Sequence, residues 1–152
     1  MNFNNKTPAT FDIAHSTFDI EAAYLKGEFN EDEVVYARPP LGYRHKIRGV
    51  PVVWRLKIPL YGEADAGRIW NRTLVKQLRA QGFKQSEFDP CYFRKLFPNG
   101  KRVDILMYVD DGYVVSNAKD LAVKELQELH NKFTLTRKPA QYFLGNDIHV
   151  AE

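Results

Sequence analysis

Val103-Asp104-Ile105-Leu106-Met107-Tyr108-Val109-Asp110-Asp111-Gly112-Tyr113-Val114-Val115 is the stretch that decides how this chain folds. Apolar, largely β-branched or aromatic residues lie on both sides of two adjacent carboxylates. That pattern predicts two antiparallel strands with Asp110 and Asp111 at the tip of a β-hairpin. Carboxylates flanked by apolar strands are costly to keep ionised without a partner. A divalent cation supplies one, and Mg²⁺ prefers carboxylate oxygens together with substrate phosphates. The pair therefore points toward metal-assisted phosphoryl or nucleotidyl transfer. Asp also suits an ordinary turn, because it bonds its own backbone. On these residues alone both readings stay open.

Length and composition set the frame. At 152 residues the chain is expected to form one domain. Residues 1–10 are expected to be a poorly ordered start and residues 11–152 the folded part. Hydrophobic residues make up 44% and charged residues 27%, which suits a globular core. The single cysteine, Cys91, excludes an internal disulfide framework and fits a reducing, intracellular compartment. Cys91 itself reads as a small buried apolar residue. His15, His45, His130 and His149 have no metal-ligand spacing. No apolar run has the length of a membrane span, and residues 1–10 lack the basic-then-apolar pattern from which secretion would be expected. The net charge of +3 is too small to argue for nucleic acid. The basic cluster Arg44 to Arg48 reads as an exposed loop, and Arg94-Lys95 with Lys101-Arg102, four cations near one hairpin turn, reads either as a solvated loop and strand edge or as a phosphate contact.

Periodicity places the elements. Strands are expected over 11–20, 34–37, 52–57, 90–96, 103–109 and 112–115, with a short helical or turn segment at 22–27. Ile69, Trp70, Thr73, Leu74, Gln77 and Leu78 share one face of a helix over 66–80, with Asp65 as N-cap and Gly82 as stop. A second helix is expected over 118–133, with Asn117 and Asp120 as its capping pair. Phe97-Pro98-Asn99-Gly100 is a hairpin turn, because Asn-Gly accepts positive φ. The tail, 141–150, alternates as strand. The resulting fold class is α+β: strands in one antiparallel sheet with two main helices on a single face.

Asp19 closes a strand, with Phe18 and Ile20 on the face opposite to it. It reads as a strand-end cap, or as a third carboxylate if that strand lies beside the Asp110-Asp111 hairpin.

Phe18-Asp19-Ile20-Glu21-Ala22-Ala23-Tyr24-Leu25-Lys26-Gly27, followed at the right distance by Tyr108-Val109-Asp110-Asp111, resembles the palm of a reverse transcriptase. More narrowly the chain is similar to the copia-type retrotransposon polymerases. Further segments carry that likeness: Ala37 to Tyr43, Trp54 to Gly62, Gly82 to Cys91, and Tyr142 to Ile148. Together they extend from about Phe18 to Val150.

The resemblance implies an RNA-directed DNA polymerase fragment of a Pol protein, with a palm, incomplete fingers and no thumb. It implies that Asp19, Asp110 and Asp111 are catalytic and hold two Mg²⁺ (or Mn²⁺) ions. A primer 3′-hydroxyl then attacks the α-phosphate of a deoxynucleoside triphosphate. It places Ile20, Glu21, Tyr24, Tyr61 and Gly62 at the nucleotide, with Tyr24 as the ring that excludes a 2′-hydroxyl. It places Tyr108 and Val109 at the primer. The implied partners are RNA template, DNA primer, deoxynucleoside triphosphates and, in the parent, other Pol regions (fingers, thumb, RNase H, integrase), with no membrane. The implied location is the cytoplasm, within a virus-like particle, or the nucleus.

Gly62-Glu63-Ala64-Asp65-Ala66-Gly67 departs from the family's Gly-Leu-Lys-Gln-Ala-Pro-like run. It loses a cation and gains two acids, which repel phosphate unless they face away. Two other readings stand beside the polymerase. One is a catalytically silent retroelement remnant that keeps the fold and binds nucleic acid weakly. The other is a cyclase-like nucleotidyl enzyme, against which Pro39-Pro40 and Asp89-Pro90 argue. Without a triphosphate clamp and primer grip, these 152 residues alone are expected not to extend a primer.

Overall fold

The computed structural model describes residues 14–43 and 46–149. Residues 1–10, expected to be poorly ordered, lie outside the described residues, as do Arg44 and His45 of the first basic cluster. In chain order the strands before the first helix are β1 (Ala14–Ile20), β2 (Tyr36–Ala37), β3 (Lys46–Ile47), β4 (Val50–Pro51) and β5 (Trp54–Arg55). Helix α1 (Ala66–Ala80) follows, then β6 (Lys84–Gln85), β7 (Tyr92–Leu96), β8 (Arg102–Tyr108) and β9 (Asp111–Ser116). Helix α2 (Lys119–Lys132) leads into β10 (Leu135–Pro139), β11 (Tyr142–Phe143) and β12 (Asn146–Asp147).

The chain divides into two compact units. The first comprises the residues up to Glu21 and those from Leu78 on; the second is Ala22–Gln77. In the first unit, six antiparallel strands stand in the order β10-β1-β9-β8-β7-β6. The architecture is α+β, as expected. Period-two alternation sorts the side chains. Phe18, Ile20, Phe93, Val103, Ile105, Met107 and Val114 are buried on one face. Helix α2 adds Ala122, Leu126 and Leu129, with Phe133 just beyond its end. Each large side chain buried in this way contributes about 2 kcal/mol. Lys95 on β7 reaches Glu125 on α2 at 2.7 Å and lies over the rings of Phe83 and Phe97. The other face is the more open one, half-buried at Asp19 and Tyr113 and exposed at Asp111.

Two expectations about turns resolve together. Asn99 and Gly100 take φ of 61° and 71°, as a tight Asn-Gly turn requires. Asn117 does not cap α2. Its Oδ1 accepts the Arg102 N–H at 2.8 Å and its Nδ2 donates to the Gly100 carbonyl at 3.0 Å, clipping that turn. Ala118 occupies the cap position without a side-chain bond, and Ser116 Oγ takes its N–H at 2.9 Å. Three of the four cations around this turn are also committed. Arg94 and Arg102 both pair with Asp104, and Lys95 with Glu125.

The second unit is built on local bonds more than on sheet. Strands expected over 34–37 and 52–57 shrink to the two-residue pairs Tyr36–Arg55 and Ala37–Trp54. Pro39, Pro40, Pro51 and Pro59 interrupt longer pairing. Helix α1 has the predicted bounds and buries Ile69, Trp70, Thr73, Leu74 and Leu78, while Gln77 is half-buried. Asp65 starts it with its carbonyl, which accepts the Ile69 N–H, but its carboxylate turns to Arg68 Nε at 3.1 Å. Gly82, at φ 90°, ends it.

Candidate active site

Asp19 and Asp111 are direct cross-strand partners on β1 and β9. The turn between β8 and β9 has only two residues, Val109 and Asp110, because Tyr108 pairs with Asp111. The Ile20 N–H donates to the Asp110 carbonyl at 2.9 Å, tying the end of β1 to the turn. All three sequence-predicted carboxylate residues therefore meet at one strand end, from positions far apart in the chain. Val109 holds φ 57°, a left-handed conformation unfavourable for a β-branched residue. Tyr108 and Val109 are exposed at the tip.

Burial, and then the carboxylates of Asp110 and Asp19, raise the proton affinity of Asp111 above the usual Asp value; Lys138 opposes them. The arrangement thus concentrates negative charge that a cation would relieve. Hard oxygen donors are the right chemistry for Mg²⁺ or Mn²⁺. Among the described residues, however, no three Asp, Glu, His or Cys side chains stand close enough together to hold one ion. The donors fit the metal, but the described side chains do not form a closed cage.

A cleft of about 490 Å³ opens beside this rung, lined by Thr17, Asp19, Asp111, Lys138, Tyr142 and Phe143 among others. The ring of Phe143 lies 5.7 Å from that of Tyr113. Glu21 follows the end of β1, and its Oε1 accepts the Thr136 hydroxyl at 3.0 Å.

Residues 9–151 match the family described as reverse transcriptase (RNA-dependent DNA polymerase). The chain belongs to this family. It is 30% identical over 142 residues to the retrovirus-related Pol polyprotein from transposon TNT 1-94 of Nicotiana tabacum, covering 92% of this chain and 10% of that protein. It is 33% identical over 129 residues to the corresponding polyprotein from transposon RE1 of Arabidopsis thaliana, covering 84% of this chain and 8% of that one. The putative transposon Ty5-1 protein of Saccharomyces cerevisiae is 27% identical over 132 residues, with 86% of this chain and 42% of that protein covered. The chain thus spans about a tenth of the first two relatives. The likeness to copia-type reverse transcriptases read from the motifs agrees with these matches.

In the second unit of this reverse transcriptase segment, Tyr24 lies on a short 3-10 turn (Ala23–Lys26), its ring 5.3 Å from that of Tyr61 in an edge-on contact. Gly62 is exposed at φ 86°. The acids that replace the expected Lys-containing run are engaged locally. Glu63 Oε2 accepts the Leu60 N–H at 3.3 Å, and Asp65 pairs with Arg68. Sequence reasoning passed over Glu33. Its carboxylate takes two bonds from Arg72, and Arg68 stands 3.5 Å away. The Arg72 hydrogen bonds hold it far below the ordinary Glu value, at about 2. It also passed over Gly112, treated as one more apolar strand residue. A glycine inside a β-branched strand was the available signal. Cys91, expected to be buried, is half-buried, and burial raises its thiol pKa.

Proposed function

We propose that this chain is the palm-like part of a retrotransposon RNA-directed DNA polymerase, acting on deoxynucleoside triphosphates with an RNA template and a DNA primer. The observation that carries the reading is the Asp19–Asp111 rung with Asp110 bonded to Ile20 at the same strand end. Asp19, Asp110 and Asp111, whose carboxylates as described do not enclose an ion, would hold two Mg²⁺ or Mn²⁺ ions once their side chains turn together. When bound, such ions supply the positive charge that activates the attacking oxygen and steadies the leaving one. The chain's own residues position the reactants. The Ile20 and Glu21 amides are given to the Asp110 and Thr134 carbonyls, so these residues would fix the floor beneath the triphosphate rather than donate to it, and the Thr136 hydroxyl keeps the Glu21 carboxylate occupied. The ring of Tyr24, braced by Tyr61, presents a fixed edge that excludes a ribose 2′-hydroxyl by shape. Tyr61 and Gly62 contact the incoming nucleotide, and Tyr108 and Val109 face the primer end. In the parent the remaining Pol regions complete the enzyme, inside the cell.

Mn²⁺ or Mg²⁺ is expected to raise the melting temperature of the chain, and Asp110→Asn to remove that rise. Equal shifts in wild type and variant would refute the three-carboxylate site. The alternative, a silent remnant with the fold intact, would show RNA binding with no metal response.

A further inference from the structure

One rung before Asp19–Asp111, Phe18 on β1 pairs with Gly112 on β9, and Met107 on β8 flanks Gly112 from the other side. Phe18 is 2% exposed and Met107 4% exposed, and Gly112 is buried. A Cβ on Gly112 would lie 2.1 Å from Phe18 Cζ and within 2.5 Å of both Cε atoms. The ring therefore fills the space that any side chain at position 112 would need. Gly112 is not among the positive-φ glycines, so space and not backbone conformation is what excludes a side chain there. The ring is enclosed in a close-packed core, so it cannot yield without moving β1 or β9.

We propose that Phe18 and Gly112 form a steric key on the covered face of the sheet, which fixes how Asp19 stands opposite Asp111 on the open face. The inference rests on those carboxylates being the reacting set of the polymerase. Phe18 and Gly112 are positioning residues: alternation keeps both off the open face. Their contact acts through the adjoining Asp19–Asp111 rung and on to the bond beyond it, where the Ile20 N–H meets the Asp110 carbonyl. A glycine packed under a cross-strand aromatic ring also pins register, because a one-residue slip would drive a side chain into the ring.

The test uses the full chain as Gly112→Ala, Phe18→Leu and the double variant. The readout is hydrogen exchange at the Ile20 amide, compared with the Phe83 amide, which is bonded to the Leu78 carbonyl. Gly112→Ala should speed exchange at Ile20 about tenfold more than at Phe83, and the double variant should return to within about threefold of wild type. Phe18→Leu alone should speed Ile20 less than Gly112→Ala does. The key is overturned if Ile20 and Phe83 accelerate together, as in general destabilisation, or if the smaller residue at position 18 fails to rescue. Should Gly112→Ala not fold, folding of the double variant supports the key, and failure of both overturns it. Stabilisation by Mn²⁺ should be lost in Gly112→Ala and restored in the double variant. If wild type shows no Mn²⁺ stabilisation, the polymerase reading fails, while the exchange comparison still decides the key.

Discussion

At Asp111 the needs of folding and of chemistry oppose one another. Burial and two neighbouring carboxylates raise its proton affinity above the ordinary 3.8. A carboxyl whose folded pKa is raised favours the folded state when protonated, so stability falls as pH rises through and above 3.8. Asp111→Asn should therefore melt higher than wild type at pH 7 without divalent ions, and the gap should close on acidification below the unfolded value. Thermal melts of both chains across pH check this; a gap that widens in acid would refute it. The same variant should lose stabilisation by Mn²⁺. Val109 tells a similar story in the backbone. Left-handed φ costs a β-branched residue about 1 kcal/mol or more, so Val109→Asn should stabilise the apo chain by about 1 kcal/mol in urea titration. The strain sits at the turn that carries the carboxylates, where such strain tends to have a function. From the sequence, Asp110 and Asp111 could be placed at a turn. The left-handed Val109 could not, because valine is among the residues least suited to that conformation.

Among the elements, α1 is held to the acidic loop before β2 by side chains. Arg72 bonds both Glu33 and the Glu28 carbonyl, and Thr73 Oγ1 accepts the Glu28 N–H at 2.9 Å. Glu33 drops from 4.5 to about 2 through the Arg72 hydrogen bonds. For a depressed carboxylate the stabilisation is fully present above 4.5 and is lost as pH falls through that window toward 2. Glu33→Gln should erase this acid-sensitive part of the melting curve, and a midpoint that shifts equally with pH in both chains would contradict it. The clip was not legible, since it joins residues 39 positions apart through half-buried polar groups that carry no periodicity. Helices α1 and α2 were legible because Ile69, Trp70, Leu74 and Leu78, and likewise Leu126 and Leu129, repeat at helical spacing. Strand β10 escaped notice: Leu135 is its one buried residue, and an edge strand needs no alternation. Family motifs bring Asp19 and Asp111 under suspicion as neighbours but leave their rung open, because register across β1 and β9 depends on packing such as that of Phe18 on Gly112.

Over the molecule as a whole, charge is segregated along the chain. Residues 34–62 hold six Lys/Arg and no Asp or Glu, against a net charge of +3 for the full sequence, so the remainder is net acidic. Of these, Arg38, Lys46, Arg48, Arg55 and Lys57 are exposed and, among the described residues, are in no ion pair. Tyr36, Tyr43 and Trp54 are exposed among them. Cations interleaved with exposed rings suit a single-stranded nucleic acid, where backbone attraction and stacking add. Replacing the five cations by Gln should weaken binding to a uridine homopolymer and reduce the salt slope by about 3.5. An unchanged slope would remove this segment from the proposed RNA contact.

The order of the six-stranded sheet has a consequence for how the chain is made. Strand β1 lies between β9 and β10, yet it leaves the ribosome about ninety residues before β9, with the whole second unit synthesised in between. Through that interval a strand bearing Phe18 and Ile20 has neither of its sheet neighbours, and both of its edges are open to any other chain. Premature termination anywhere before β9 would release the strand in that state. The lone carboxylate of Asp19 then has a second use, as a charge that discourages orphaned copies of β1 from pairing with each other.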